Sequence, residues 1–172
     1  MTRNLFIIIL LFSAAPGITL QEVYQSAGPG QGYDKKVTLE AGKVYTGGIA
    51  IFDYKVMVRG NGAVIDLEGG AITIADDLVT DTRLDIDHCV LTGGAIALDY
   101  TNSANGHVTN CTFYSNQVGV QILYCTDTLS SITNCVFLEN TTYAVLCMQY
   151  YYPAISHNCC YNNKGDYFEQ CG

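Results

Sequence analysis

Val108-Thr109-Asn110-Cys111-Thr112-Phe113 recurs one period later as Ile132-Thr133-Asn134-Cys135-Val136-Phe137. A looser copy begins at Ser156, and Ile86-Asp87-His88-Cys89-Val90-Leu91 is an earlier copy. A unit of this length cannot bury its own apolar face, so successive copies must stack on one another. The repeat therefore predicts a solenoid.

The chain within each copy is predicted to be extended. Apolar and polar residues alternate over short runs, as at Ile72 and Ile74, and no long helical stripe is present. Parallel neighbours in such a coil lie about 4.8 Å apart, so residues one period apart lie directly above one another. We therefore predict an all-β solenoid of about six coils over residues 37–172, which forms a single domain.

Residues 1–17 are interpreted as a secretory signal peptide. Arg3 precedes an apolar run from Leu5 to Phe12 that is too short to span a bilayer, and small residues follow it. A secreted, extracellular protein with no membrane segment after cleavage is expected. The formal net charge of -8 argues against a nucleic-acid partner, because proteins that bind nucleic acid present a basic face.

The two ends of the solenoid raise separate expectations. Residues 18–36 are predicted to be an irregular lead-in, because Gly28-Pro29-Gly30 and Gly32 interrupt any regular element. This lead-in is expected to lie over the first coil and cover its open strand edge. The chain stops in mid-coil at Gly172 without a capping element, so a truncated β-helix or end-to-end self-association is expected there.

Cysteine recurs with the repeat. Cys89, Cys111, Cys135 and Cys159 are predicted to form one column, and Cys125, Cys147 and Cys171 a second, with Cys160 outside both. Two outcomes stay open. One is a disulfide bond between coils, for which parallel side chains give marginal geometry, and the other is a stack of buried free thiols.

Asparagine recurs in the same way. Asn110, Asn134 and Asn158 are predicted to form a buried amide ladder, and Asn116 and Asn140 suggest a second. His88 occupies the ladder position of its own coil and is interpreted as a structural substitute for asparagine. Asn110 and Asn140 also begin glycosylation sequons, and burial of the first leaves Asn140 as the expected glycan site in a host that glycosylates.

These stacked copies, preceded by Val58-Arg59-Gly60-Asn61-Gly62-Ala63-Val64-Ile65-Asp66, resemble the pectate lyase and polygalacturonase superfamily. The resemblance covers residues 37–172 and implies a single-stranded, right-handed parallel β-helix. Many members of that superfamily are secreted and act on or bind polysaccharides, with the substrate in a groove along one parallel sheet. A polysaccharide partner is therefore implied. The known catalytic motifs do not transfer, since the chain has only fragments such as Ile86-Asp87-His88-Cys89.

One acidic set follows from the residues themselves. Asp53, Asp76 and Asp99 each follow a Gly-Gly strand at equal steps along the chain, and Asp77 adjoins the second. If they align, neighbouring carboxylates would lie about 5 Å apart and the outer two about 10 Å apart, which brackets the separations used by glycosidases. Such a column is also a candidate calcium site. The alternative is a set of solvated turn residues, and aligning the core isoleucines moves Asp99 one position off the column.

Tyrosines near this set are candidate sugar platforms. Tyr54 and Tyr100 flank the acidic column, and at least one ring of Tyr150, Tyr151 and Tyr152 should be exposed in a loop between coils. A polysaccharide-associated protein is therefore the leading hypothesis. It would be a polysaccharide lyase or glycoside hydrolase if Asp53, Asp76, Asp77 and Asp99 form a catalytic set, and otherwise a binder. The competing hypothesis is a non-catalytic structural or surface protein.

Overall fold

The computed structural model describes residues 17–76, 81–124, 130–148 and 153–164. Over these ranges the chain winds into a solenoid whose strands stack in parallel on three walls. This arrangement confirms the predicted parallel β-helix of about six coils. The interpreted signal peptide lies almost entirely outside the described residues.

The strands divide among the walls by their position in each coil. Wall A contains β2 (Lys35–Thr38), β9 (His107–Thr109), β12 (Ser131–Thr133) and β15 (Ala154–Ser156). Wall B contains β1 (Ile18–Thr19), β3 (Val44–Thr46), β10 (Thr112–Tyr114), β13 (Val136–Leu138) and β16 (Cys159–Tyr161). Two long strands, β5 (Lys55–Asp66) and β7 (Arg83–Thr92), run through both walls and join them into one 11-stranded sheet. Wall C is a five-stranded sheet of β4 (Ile49–Phe52), β6 (Ile72–Ala75), β8 (Ile96–Thr101), β11 (Val118–Leu123) and β14 (Tyr143–Met148).

The core is built from columns of inward-facing side chains, because alternate residues of each strand point to the inside. On wall B the rings of Phe113 and Phe137 occupy paired positions and stack with centroids 4.8 Å apart and planes 7° apart. Both rings are completely buried. Burying each of them stabilises the fold by about 1.5–3 kcal/mol, so the stack is a main source of cohesion between coils.

The corner between walls A and B is formed by one left-handed residue per coil. These residues have φ between 51° and 57° and are solvent-exposed: Asn61, His88, Asn110, Asn134 and His157. Asparagine and histidine tolerate this conformation better than most residues, so His88 takes the place of asparagine at this corner, as predicted. The predicted buried ladder is wrong, since Asn110 and Asn134 face solvent. Asn158 is not in their column, because the last step is shorter than the one before it and brings His157 to the corner position.

The corner between walls B and C holds the buried amide ladder. Asn116 donates from its backbone N and its Nδ2 to Oδ1 of Asn140, at 3.1 and 3.2 Å. Asn140 donates in the same way to Oδ1 of Asn163, at 3.0 and 2.8 Å. The second predicted ladder is therefore confirmed, and Asn163 extends it by one coil. Because Asn140 is 0% exposed, the glycosylation expectation was assigned to the wrong sequon, and Asn110 is the accessible one.

The described cysteines separate into buried thiols, an exposed thiol and a disulfide. Cys89, Cys111, Cys135 and Cys147 are buried and free, whereas Cys160 is disulfide-bonded. Cys159 was predicted in the first column, but it pairs with Val136 on the outside of wall B and is exposed. Burial raises the pKa of the Cys135 thiol to about 12 and that of Cys147 to about 11. The buried thiols therefore act as small apolar side chains. Cys125 and Cys171 lie outside the described residues.

A short helix closes the first coil. Residues 18–36 were predicted to be irregular, but they contain α1 (Leu20–Ser26), whose N-terminus has a reciprocal capping box between Thr19 and Glu22. Leu20 and Tyr24 are buried in the same cluster as the solenoid core. Lys35 Nζ donates to the carbonyls of Tyr24 and Ala27, each at 3.2 Å, and satisfies the end of the helix. Within the described ranges, no helix has the length and apolarity needed to cross a bilayer.

Candidate functional site

The predicted acidic residues do not form a column of three. Phe52 pairs with Ala75, so Asp53 and Asp76 follow paired residues at the corner between walls C and A. Asp99 pairs instead with Thr73 in the middle of wall C, well before the level of Asp76. Its carboxylate accepts a hydrogen bond from Nε2 of Gln121 at 2.9 Å. The alignment of Asp99 with the other two is therefore wrong.

The misalignment of Asp99 arises from a change in the length of the turns between walls B and C. Two residues (47–48) separate walls B and C in the first coil, five (67–71) in the second and three (93–95) in the third. The Gly-Gly copies therefore do not superimpose the strands that follow them. Ile72 pairs with Leu98 rather than with Ile96, which moves Asp99 along the strand.

The other predicted site residues have different surroundings. Asp53 is exposed with φ of 59°, and its backbone N donates to Oγ1 of Thr82 at 3.1 Å. Tyr54 is 45% exposed and is available for contact. Tyr100 is 2% exposed and donates its hydroxyl to the carbonyl of Leu84, so its prediction as a sugar platform is wrong. It faces inward because it continues the inner column of Ile74 on wall C. Four further predicted residues lie outside the described residues: Asp77, Tyr150, Tyr151 and Tyr152.

The structure offers no direct support for a calcium site. In the part of the chain that the structure describes, no group of three or more His, Cys, Asp or Glu side chains is arranged to hold a metal ion. Calcium binding by the predicted set of Asp53, Asp76 and Asp99 stays a prediction.

The outer face of wall A carries the densest set of polar side chains. One column of paired, outward-facing residues is polar in all six coils: Thr38, Arg59, Asp87, Thr109, Thr133 and Ser156. The column beside it contains Lys36, Met57, Asp85, His107, Ser131 and Ala154. We call these two columns the polar face. The residues between them, such as Val108 and Ile132, point inward and are buried, which fixes the outward direction of the polar side chains.

Asp85 is the most constrained residue of the polar face. It is 6% exposed and accepts hydrogen bonds from Arg83 Nε and Nη2 at 3.0 and 2.9 Å, from the His107 backbone N at 2.8 Å and from the Tyr33 hydroxyl. The hydrogen bond to Asp85 raises the pKa of Arg83. Burial, together with the same acceptor, raises the pKa of Tyr33. The carboxylate of Asp85 is therefore occupied by protein donors, and it ties the lead-in to wall A instead of contacting a ligand.

His107 and Ser131 form a pair on adjacent coils. His107 Nδ1 lies 2.7 Å from Ser131 Oγ, which is the spacing of a base and a nucleophile in covalent catalysis. Among the described residues, however, no side chain orients the other ring nitrogen of His107. The backbone N–H of His107 donates to Asp85 and that of Ser131 donates to the Gly106 carbonyl, so neither forms an oxyanion hole. The geometry suits hydrogen bonding to a bound molecule better than acyl transfer.

Three ion pairs balance the charge of this face. Lys55 Nζ lies 2.8 Å from Asp81, Arg83 Nη2 lies 2.9 Å from Asp85, and Arg59 Nε lies 3.8 Å from Asp87. Three cations on and beside this face are thus matched by carboxylates. A ligand on the polar face meets hydroxyl groups and paired charged groups rather than a uniform field.

These residues were not predicted from the sequence, although their spacing follows the repeat. The steps of the cysteine column also connect Asp85 to His107 and Ser131. The same steps generate the neighbouring column, in which Asp87 is followed by Thr109. Applying the cysteine register to every position of the repeat would have identified both columns.

Comparison with known proteins supports the fold assignment. A family model described as the right-handed β-helix region matches residues 43–171. No curated protein and no solved structure matches the chain significantly.

Proposed function

The chain belongs to the right-handed β-helix family, and from that membership we propose that it is a secreted protein that binds a polysaccharide along the polar face of wall A. The observation that carries the proposal is the column that stays polar in all six coils, from Thr38 to Ser156. Five steps of about 4.8 Å make this column about 24 Å long. An extended chain of sugars can lie along a surface of that length and exchange hydrogen bonds with each coil.

The charge of the polar face favours a neutral polysaccharide. Ion pairs on and beside it bring Lys55, Arg59 and Arg83 to carboxylates, and the whole chain has a formal net charge of -8. A polyanion would be repelled by the excess of carboxylates, whereas hydroxyl groups can donate to carboxylates and accept from hydroxyls and cations. Binding therefore rests on hydrogen bonds rather than on net charge.

Hydrolysis of the bound polysaccharide is the second candidate function. It is favoured by Asp53 and Asp76, which follow paired residues on neighbouring coils. Neighbouring coils are about 4.8 Å apart, close to the carboxyl separation of about 5–5.5 Å in retaining glycosidases. Release of reducing ends from neutral glycans, lost in Asp76→Asn, would support hydrolysis. Binding without any such release would leave the protein as a binder.

Replacing hydroxyls of the column tests the proposed function. The double variant Thr109→Val/Thr133→Val removes two outward hydroxyls while keeping side-chain shape and strand propensity. Loss of two hydrogen bonds at about 0.5–1.5 kcal/mol each should weaken binding by about 5- to 150-fold. The matched control is Thr112→Val, which removes an outward hydroxyl from wall B in the same coil.

Affinity electrophoresis through gels that contain a single soluble polysaccharide measures this effect. A panel of neutral glucans, mannans and galactans is compared with polygalacturonate and alginate. We expect retardation by at least one neutral polymer, less retardation of the double variant, and no change for Thr112→Val. Absence of binding to every polymer would favour a structural role for the repeats. Equal binding by all variants would remove wall A as the binding surface.

A further inference from the structure

Asp87 lies between two nitrogen-bearing side chains that do not reach it. Arg59 Nε is 3.8 Å and His88 Nδ1 is 3.7 Å from the same oxygen, Oδ2. Hydrogen bonds between nitrogen and oxygen have lengths of about 2.7–3.2 Å, so neither contact is a direct hydrogen bond. Asp87 differs in this respect from Asp85, which lies on the same face and is closely bonded to its partners.

The same residues carry an unused donor and an unused acceptor. Arg59 Nε and Asp87 Oδ1 are shielded from solvent, and neither has a hydrogen-bond partner among the described residues. Buried polar atoms in folded proteins nearly always have a partner, so such a combination needs an explanation. The two side chains are adjacent members of the polar column, one coil apart. A single small group between them could satisfy both atoms.

The chemistry of the missing group follows from what the two atoms need. It must accept a hydrogen bond from Arg59 Nε and donate one to Asp87 Oδ1. A hydroxyl of a sugar or of water does both, whereas a carboxylate or phosphate cannot donate to Asp87 and an ammonium group cannot accept from Arg59. The second gap, between His88 Nδ1 and Asp87 Oδ2, adjoins the first, because it lies at the other oxygen of the same carboxylate.

We propose that Arg59, Asp87 and His88 form a subsite for two neighbouring hydroxyls of one sugar residue. This subsite rests on the proposed function and places one recognition point within the polar column. Asp87 is the shared acceptor, Arg59 donates to one hydroxyl, and the His88 ring bonds the other. Thr109 follows Asp87 in the column, so the next sugar along the polymer meets its hydroxyl.

The subsite can open without disturbing the core. The side chain of Arg59 is 43% exposed, that of His88 is 60% exposed and that of Asp87 is 24% exposed. All three lie on the outside of the wall, while Val58 and Ile86 beside them are buried. A rotation of the Arg59 side chain therefore admits a hydroxyl to the Nε and Oδ1 atoms and leaves the strands in place.

Two substitutions test the subsite on a neutral polysaccharide that the unmodified protein binds. Asp87→Asn keeps the shape but replaces the carboxylate, and hydrogen bonds to a charged group are the stronger kind, so we expect about 10- to 100-fold weaker binding. Arg59→Lys keeps the positive charge and removes the Nε–H, and it should also weaken binding. The matched control is Asp66→Asn, an outward carboxylate on wall B of the same strand as Arg59. Isothermal titration gives the affinities, and circular dichroism confirms that each variant folds.

A chemical change in the polymer provides the second arm. Periodate oxidation followed by borohydride reduction cleaves neighbouring diols and leaves isolated hydroxyls. We expect the treated polymer to bind the unmodified protein as weakly as the untreated polymer binds Asp87→Asn.

The outcomes separate the two proposals. Unchanged affinity in both wall A variants would overturn the subsite while polysaccharide binding stands. Loss of affinity in Asp66→Asn to the same degree would also overturn the subsite, because the effect would then be one of overall charge. Absence of binding by the unmodified protein to every polymer would overturn the proposed function and the subsite with it.

Discussion

Replacing Asn140 with alanine should destabilise the whole solenoid. The side chain of Asn140 accepts from the backbone N and the Nδ2 of Asn116, and it donates to the Phe113 carbonyl at 3.1 Å and to Asn163. It is completely buried, so water does not replace these bonds in the folded state. The amide therefore links three successive coils at one corner.

The magnitude follows from the groups that lose their partners. After Asn140→Ala, Nδ2 of Asn116 still donates to the Leu91 carbonyl, and Oδ1 of Asn163 still accepts from the backbone N of residue 140. The backbone N–H of Asn116 is left unsatisfied, at a cost of about 1–3 kcal/mol, and the Phe113 carbonyl keeps its sheet bond but loses the bond from Asn140, at about 0.5–1.5 kcal/mol. The loss is therefore about 1.5–4.5 kcal/mol. This is a large part of the roughly 5–15 kcal/mol that holds a domain of this kind together.

Urea unfolding followed by far-ultraviolet circular dichroism measures the change in the free energy of unfolding. The control is Asn134→Gly at the exposed corner, where φ is 55° and glycine adopts this conformation without strain. The control should change the free energy by less than about 0.5 kcal/mol. A loss below about 1 kcal/mol for Asn140→Ala, or an equal loss in both variants, would refute the assignment of the ladder as a stabilising element.

Four further outcomes are expected. Phe137→Ala removes one ring of the stacked pair and should cost about 3–5 kcal/mol, measured by the same urea unfolding. Gly60→Ala should destabilise by about 1–3 kcal/mol, because its Cβ would clash with the main-chain oxygen of His88 in the next coil, whereas Gly28→Ala, which meets nothing within 4 Å, should be neutral. Burial raises the pKa of Cys135 to about 12, so stability should fall above its ordinary value of 9.0, where only the unfolded thiol ionises; Cys135→Ala should flatten this decline. In the native protein iodoacetamide should alkylate the exposed Cys159, and Cys135 only after unfolding, as mass spectrometry of the labelled peptides would show.

The fold was predictable because the spacing of the repeat copies indicates which residues of neighbouring strands pair. The copies around Cys111 and Cys135 agree in polarity at every position except Thr112 and Val136, and their strands pair in the predicted alignment. The exception lies on the outer face of wall B, where either polarity is tolerated. The amides at the next corner also form the predicted ladder, since a buried amide needs another amide one coil away. In this part of the chain, residues at equivalent positions of the repeat lie next to one another in the structure.

The positions of Asp53, Asp76 and Asp99 were not predictable in the same way, because these residues were aligned by the glycine pairs in the turns that precede their strands. The glycine pairs before Ile72 and Ile96 look alike, but the turns that contain them differ in length. Register in a solenoid is set by the side chains that pack inside, and Leu98 rather than Ile96 fills the place above Ile72. Turn residues indicate the backbone conformation of the turn itself, but they do not determine the register in which the following strand pairs.

The alignment of the polar face, unlike that of the acidic residues, follows from the repeat. Asp87 and Thr109 belong to the repeat that decided the fold, and their spacing was visible from the start. Their place in the repeat predicts their alignment but does not distinguish them from other outward-facing residues. The hydroxyl groups of a column have no distinctive motif, and their importance follows only from being stacked in line on one exposed wall.

Thr109 and Thr133 occupy equivalent positions on wall A, so deletion or duplication of the segment between them changes the length of the solenoid by one coil. Excising residues 110–133 joins Thr109 to Asn134, which has the same left-handed conformation as the Asn110 that it replaces. The shortened chain keeps its three walls and an amide ladder of Asn140 and Asn163, whereas the ring of Phe137 then lies next to Leu91 instead of Phe113. Duplicating the same segment lengthens the walls and the ladder together. Recombination within one gene can therefore adjust the reach of the protein along its partner by whole turns, without inventing any new residue.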